Sequence, residues 1–344
     1  MRRTFIVGDI HGCYDELIEL LDAAAIADDD LVVSVGDLVD RGPRPAEVVR
    51  WFRARPGAVV LMGNHERKHV RGLFSYSQEI TRLQLGDGYT EVVGWMRGLP
   101  YFFETPEIRV VHAAMVPGVP LQEQSEAVLC GSASGEALLR EAIPDGWWHE
   151  RYTDDLPIAF GHHVTGQEPL LRDGKIWGLD TGACHGLRLT GLSVPDFRLF
   201  SVPARADHWK TCARDYQVPV LRARPWGTMS FRKIDEAIAD LREGRSAGAE
   251  AYLESLAAWA ASIQALIPAL LERVEALAEE LRSAHGEAGW TAAASGHPAR
   301  PLLFKLARGR LVLDDLTVRC SSPRTTIELA EKLGIDVSAL QATP

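Results

Sequence analysis

Gly8-Asp9-Ile10-His11-Gly12, Gly36-Asp37-Leu38-Val39-Asp40-Arg41-Gly42 and Gly63-Asn64-His65-Glu66 are the stretches on which the reading of this chain turns. Each follows an apolar, β-branched run, at 4–7, 31–35 and 58–62, and then opens into polar sequence. Their Asp, His and Asn side chains are therefore expected on loops at the C-terminal ends of strands. Carboxylate, imidazole and amide oxygen together suit divalent ions of borderline-hard character, not a soft thiolate site. The neighbouring glycines let the backbone turn sharply and approach an ion or phosphate closely. A lone Asp at a strand end is usually a helix cap. Three such motifs in this order, about 28 residues apart, are not explained by caps.

Between the motifs, residues 14–25 carry helical spacing (Leu17, Leu20, Leu21), and 45–53 do the same. This βαβαβ pattern predicts a mostly parallel sheet with active residues at its C-terminal edge. From about residue 108 the pattern shifts to strands and short connections, at 108–112, 158–161, 176–179, 187–193 and 197–202. That suits a second sheet packed on the first. Residues 76–107 and 116–150 are expected as helical or loop insertions around the rim. Trp147 and Trp148 there either cover a substrate or pack under a loop.

The triplet GDxHG, GDxVDRG and GNHE resembles the PPP family of metallophosphatases, which includes phosphoprotein phosphatases and bacterial enzymes that cleave diadenosine tetraphosphate. Val110-Val111-His112-Ala113-Ala114 is similar to the family's strand-then-HAG motif, and Phe160-Gly161-His162 to its FGH motif. Leu179-Asp180-Thr181-Gly182, with 187–192 after it, resembles the closing DTG hairpin. The resemblance covers residues 4–203. It implies an α/β fold, the two-sheet αββα metallophosphoesterase sandwich, as a catalytic domain over 1–204, with a mostly helical extension over 205–344.

The resemblance further implies two divalent metal ions, with Mn expected and Fe or Zn as alternatives. Asp9, His11 and Asp37 would hold the first; Asp37, as the bridge, Asn64, His112 and His162 would hold the second. A hydroxide bridging the pair would attack phosphorus in line, without a covalent phosphoenzyme. His65 would protonate the leaving alkoxide, Asp40 would orient His65, and Arg41 would grip phosphate oxygens with its planar fork. Arg151 is a further candidate clamp. His163, where the family usually has Thr, and His185 are left open as neighbours of the site, and Glu66 is read as a buttress.

Two departures bear on substrate. Met62 stands where eukaryotic phosphoprotein phosphatases usually place a phosphate-clamping arginine, and Ala114 replaces a glycine. Neither removes a ligand, but both loosen the assignment of a protein substrate. Phosphomonoester hydrolysis on phosphoserine or phosphothreonine leads the expectations. The alternatives are hydrolysis of a dinucleoside polyphosphate, removal of RNA-end phosphates, and a non-catalytic phosphate-binding scaffold.

Composition bounds the rest. A net charge of −10 over 344 residues argues against general nucleic-acid binding. Five scattered cysteines without CxxC spacing indicate neither a disulfide framework nor a zinc motif. No signal peptide and no run of about 18 apolar residues is evident, so a cytoplasmic protein without a membrane span is expected. In the tail, Leu253, Leu256, Ala260, Ile263, Ile267, Leu270, Val274, Leu277 and Leu281 alternate spacings of three and four. This heptad seam over 253–281 either self-associates or packs on the same chain, and Pro268 should kink or split it. Residues 205–225 read as a linker or strap, 285–300 as a loop and 325–333 as a last helix.

Overall fold

A computed structural model describes residues 3–241 and 245–344. The chain divides into two units, Met1–Tyr216 and Gln217–Pro344. In the first unit the order is β1 (Thr4–Val7), α1 (Tyr14–Ala23), β2 (Leu31–Ser34), α2 (Pro45–Ala54), β3 (Ala58–Val60), α3 (Asn64–Arg71), α4 (Tyr76–Leu85) and α5 (Tyr89–Met96). There follow β4 (Phe102–Glu104), β5 (Arg109–Val111), α6 (Glu126–Leu129), α7 (Ala133–Ala142), β6 (Ile158–Phe160), β7 (Leu170–Arg172), β8 (Ile176–Gly178), β9 (Arg188–Val194), β10 (Arg198–Pro203) and α8 (His208–Asp215).

Two five-stranded sheets form, ordered β10-β9-β1-β2-β3 and β4-β5-β6-β8-β7. The parallel β1–β2–β3 core places the loops after each of these strands at one edge. Side-chain alternation explains the layering. Phe5, Val7 and Val32 point to a core shared with Leu17, Leu20 and Phe52 of the flanking helices. Ile6, Val33 and Val35 point the other way, onto Val110, Ala159, Trp177 and Leu179 of the second sheet. The outer face of the second sheet is closed by Val128, Leu129 and Trp148. This is the expected αββα sandwich.

The insertion over 76–107 is not wholly helix and loop. It supplies β4, which pairs with β5, because Phe102 and Phe103 can cover a sheet edge. Trp148 packs under its loop, whereas Trp147 is exposed. The segment read as a strap, 205–225, is largely helical. Asp207 caps α8 by accepting from the Lys210 N–H at 2.9 Å, and the unit runs on past 204, to Tyr216.

The second unit contains α9 (Gln217–Ala223), α10 (Phe231–Leu241), α11 (Ala247–Gln264), α12 (Leu266–Gly296), α13 (Arg300–Ala307), α14 (Leu313–Arg319) and α15 (Pro323–Lys332). The seam breaks at Ala265, so Pro268 falls in the first turn of α12, where its missing N–H costs little. Leu253, Leu256, Ala260 and Ile263 are buried with Trp226, Phe231, Ile234 and Ile238. Ile267, Leu270, Val274 and Leu277 are buried with Trp290, Leu303, Leu316 and Leu329. The seam is therefore covered by its own chain, the second of the two expected outcomes, and is split between two cores. By length and composition the stretch Ala247–Gly296 could cross a membrane; these same burials occupy its apolar side chains. Residues 285–300 are not a loop: α12 continues to Gly296 across a single non-helical residue, Gly286, at φ 66°.

Candidate active site

The loops after β1, β2, β3, β5 and β6 converge, and each brings one or more polar side chains. Asp37 stands at the centre. Its Oδ2 lies 3.6 Å from His11 Nε2 and its Oδ1 lies 3.5 Å from His112 Nε2. One set of donor atoms, from His11, Asp37 and His65, and another, from Asp37, His112 and His162, are each within 4.8 Å of one another. Asn64 Oδ1 is 3.2 Å from both His112 Nε2 and His162 Nδ1. The His162 N–H donates to both Asp9 carboxylate oxygens at 3.1 Å, tying the first motif to the FGH loop. All six residues expected as ligands are thus brought together.

Ring orientation follows from backbone carbonyls. His11 Nδ1–H donates to the Val39 carbonyl at 2.8 Å, and His112 Nδ1–H donates to the Val35 carbonyl at 3.0 Å. Each ring therefore turns an unprotonated Nε2 inward. Burial holds both imidazoles below their ordinary range, and burial with His112 alongside brings His162 down to about 3. Burial raises the Asp37 carboxyl, but His112, His65 and His11 outweigh it and hold it low. Burial, then the charges of Asp180 and Asp37, push Asp9 well above the carboxylate range. Burial, with the Asp37 charge, brings Asp180 to about 6.

These features fit divalent cations. Unprotonated imidazole nitrogens face a carboxylate across 3.5–3.6 Å, acceptor against acceptor, and three acidic groups crowd one buried space. A cation relieves both, and the donors are oxygen and nitrogen throughout.

A second layer holds His65. Its Nδ1–H donates to Asp40 Oδ2 at 2.5 Å, leaving Nε2 toward the site, where Arg41 Nη2 donates to it at 3.1 Å. Arg41 Nη1 reaches His11 Nε2 at 3.1 Å. Asp40 is fully buried and also accepts from His69 Nε2 at 2.9 Å and from Gln78 Nε2. Burial raises Asp40, but the bonds from His65 and His69 hold it well below its usual range. Tyr89 closes the chain by donating to His69 Nδ1 at 3.0 Å. His69 and Gln78 were missed from sequence. The signal for His69 was its i+4 spacing from His65 on one helix face; Gln78 comes from another helix and left none.

Glu66 buttresses the Asp37 loop by accepting from the N–H groups of Asp37 (2.9 Å), Leu38 (2.9 Å) and Gly63 (3.2 Å). His163 stacks edge-on against His162, with ring centres 4.7 Å apart. Burial, with Arg41 nearby, lowers His185. Arg151 is not brought to the site by any hydrogen bond among the described residues: it is exposed and donates to the Asp145 carbonyl at 2.8 Å. A further feature was invisible in sequence. Of eight non-glycine residues with positive φ among those described, five are His11, Asp37, Asp40, Arg41 and His162. Strained backbone of this kind concentrates at functional sites.

Residues 2–189 match the calcineurin-like phosphoesterase family, and the chain belongs to it. It is a metal-dependent phosphoric ester hydrolase. Among its relatives, the asymmetrical bis(5'-nucleosyl)-tetraphosphatase PrpE of Halalkalibacterium halodurans is 30% identical over 236 residues, covering 58% of this chain and 93% of that protein. The symmetrical bis(5'-nucleosyl)-tetraphosphatase of Salmonella paratyphi C is 27% identical over 269 residues, covering 58% and 94% respectively.

Proposed function

We propose that this enzyme hydrolyses a dinucleoside polyphosphate rather than a phosphoprotein. The observation that carries this reading is a cavity of about 360 Å³ that opens beside Asn64 and is lined by Arg67, Lys68 and Arg71 as well as Ser132 and Ser134. Lys68 and Arg71, three positions apart on one face of α3 with buried Arg67 beside them and Glu136 across the cavity, suit a chain of phosphates better than a single phosphoryl group on an uncharged peptide. The names of the relatives point the same way, and Met62 leaves the site without the arginine expected of phosphoprotein phosphatases.

In this reading Asp9, His11 and Asp37 hold one divalent ion, and Asp37, Asn64, His112 and His162 hold the other. Mn suits donors that are oxygen and nitrogen without sulfur. Bound ions of this kind polarise the phosphoryl group and activate water at neutral pH. Arg41 orients the phosphate oxygens. With Arg41 turned to the phosphate, His65 held at Nδ1 by Asp40 takes a proton at Nε2 and delivers it to the departing oxygen. A cytoplasmic setting agrees with five cysteines that are all unpaired.

The test is a substrate panel of diadenosine tetraphosphate, a phosphoserine peptide, p-nitrophenyl phosphate and a 2′,3′-cyclic nucleotide, run with Mn. Diadenosine tetraphosphate is expected to give the highest kcat/KM. Lys68→Ala and Arg71→Ala should raise its KM by roughly tenfold, about 1.4 kcal/mol, while leaving p-nitrophenyl phosphate nearly unchanged. Preference for the phosphopeptide, with KM indifferent to both variants, would restore the phosphoprotein reading.

A further inference from the structure

A second group of donors lies in the first unit, and none of its residues belongs to the set above. Cys13 Sγ, a Glu16 carboxylate oxygen and a His208 ring nitrogen are within 4.8 Å of one another. Cys13 and Glu16 are 0% and 1% exposed. Cys13 is the N-cap of α1 and Glu16 sits in its first turn, so the two are three positions apart. His208 opens α8, and buried Cys212 follows four positions later. Spacings of three and four place each pair on one helix face. Helices α1 and α8 thus each carry a pair of donor residues, and three of these four side chains stand together.

Hydrogen bonding accounts for part of this arrangement only. His208 Nε2–H donates to Glu16 Oε1 at 2.7 Å, and the Arg205 N–H donates to the same oxygen at 2.9 Å. The Cys13 thiol donates weakly to the His11 carbonyl at 3.7 Å, and buried Cys212 stands one turn beyond His208 on the same face of α8. An ion pair needs neither thiol. One sulfur, one imidazole and one carboxylate stand together there, with His208 half-buried and the second sulfur one helical turn away; these are donor types that zinc takes in structural sites.

We propose that Cys13, Glu16, His208 and Cys212 form a structural zinc site that fastens α8 to the start of α1. The donor chemistry separates it from the hydrolytic centre, which offers oxygen and nitrogen alone. Binding releases the thiol protons to solvent. Because α1 begins directly after the loop carrying Asp9 and His11, zinc here would stiffen the backbone behind those two residues.

Cobalt distinguishes the two kinds of site, since thiolate ligation gives a near-ultraviolet charge-transfer band that oxygen and nitrogen donors cannot produce. Metal-free full-length protein titrated with Co²⁺ should develop this band to a limiting amplitude of one thiolate-ligated ion per chain, three ions being bound in all, and excess Zn²⁺ should abolish it. Cys212→Ser should remove or halve the band, and His208→Ala should weaken the affinity at least about tenfold. His208→Cys, which keeps a ligand, should strengthen the band. Asp37→Asn and Cys184→Ser should leave it intact. Wild-type protein that fills its hydrolytic centre with cobalt yet shows no thiolate band would overturn the proposal, whatever the folding of the variants. So would a band that survives Cys212→Ser unchanged and disappears in Cys184→Ser.

Discussion

At the scale of the residue, the proposed chemistry divides between groups that bind ions and groups that move a proton. The proposal puts His65 in the second class, because Asp40 takes its Nδ1–H and leaves Nε2 toward the site. His65→Ala is expected to lower kcat by roughly 10²–10⁴-fold with metal content unchanged. The loss should be smaller for p-nitrophenyl phosphate, whose leaving group needs little protonation; equal losses on good and poor leaving groups would assign His65 another role. Asp180 makes a different prediction. Its carboxyl is raised to about 6 by burial and then by Asp37. An acid raised in the folded state favours folding fully below its unfolded pKa, near 3.9, and that contribution is lost as pH rises through about 6. At neutral pH the ionised group therefore works against the metal-free fold, by about 3 kcal/mol on a shift of roughly two units. Asp180→Asn, whose amide oxygen can still accept from the Gly182 N–H, should stabilise chelated protein at pH 7.5 and not at pH 3.5. Urea unfolding at the two pH values checks this; a gain equal at both would show that charge is not the cause.

At the scale of the element, the site depends on how closely strand ends approach. A Cβ on Gly161, directly after β6, would stand 1.9 Å from Asp9 Oδ1, and one on Gly63, after β3, would stand 2.1 Å from Asp37 Oδ1. Neither carboxylate has a flexible stem with which to retreat. Gly161→Ala should therefore displace Asp9 and weaken binding of the first ion by at least about tenfold, with an overpacking cost of about 1–3 kcal/mol. Calorimetric titration with Mn reads the first quantity and thermal melting the second. Unchanged affinity would mean that Asp9 does not hold the ion. The strands that carry the motifs were legible because their apolar runs are short, β-branched and followed at once by glycine. The strands β4 and β7 were not, since each is three residues long and formed by pairing at a sheet edge. Pairing of that kind has no local signature.

At the scale of the whole molecule, each unit closes its own hydrophobic cores. In the second, Leu256 and Leu270 are 0% exposed and lie in different clusters. Leu256→Ala and Leu270→Ala should each cost about 2–5 kcal/mol of that unit's stability. Neither should change the mass seen by light scattering or the metal content. A change in oligomeric state on either substitution would return the seam to the role of an interface between chains.

What the sequence determined by itself was the layout of the candidate site: three loops at parallel strand ends, their donor types, and the sandwich they imply. These are local facts, because a donor side chain and the turn that presents it are neighbours in the chain. Tertiary structure alone decided which groups stand behind them. His69 and Gln78 reach Asp40 from two helices, Asp180 joins the acidic crowd from the far hairpin, and Arg151, plausible by composition, turns to the Asp145 carbonyl instead. It also decided the fate of the heptad seam. Periodicity states that an apolar stripe must be covered, but not by what, and the covering side chains come from up to about 80 positions away in sequence, as Leu340 packing against the cluster of Leu253, Leu256 and Ile263 illustrates. Long-range packing of that sort is set by the folded chain as a whole, which is why spacing along one helix could not announce it.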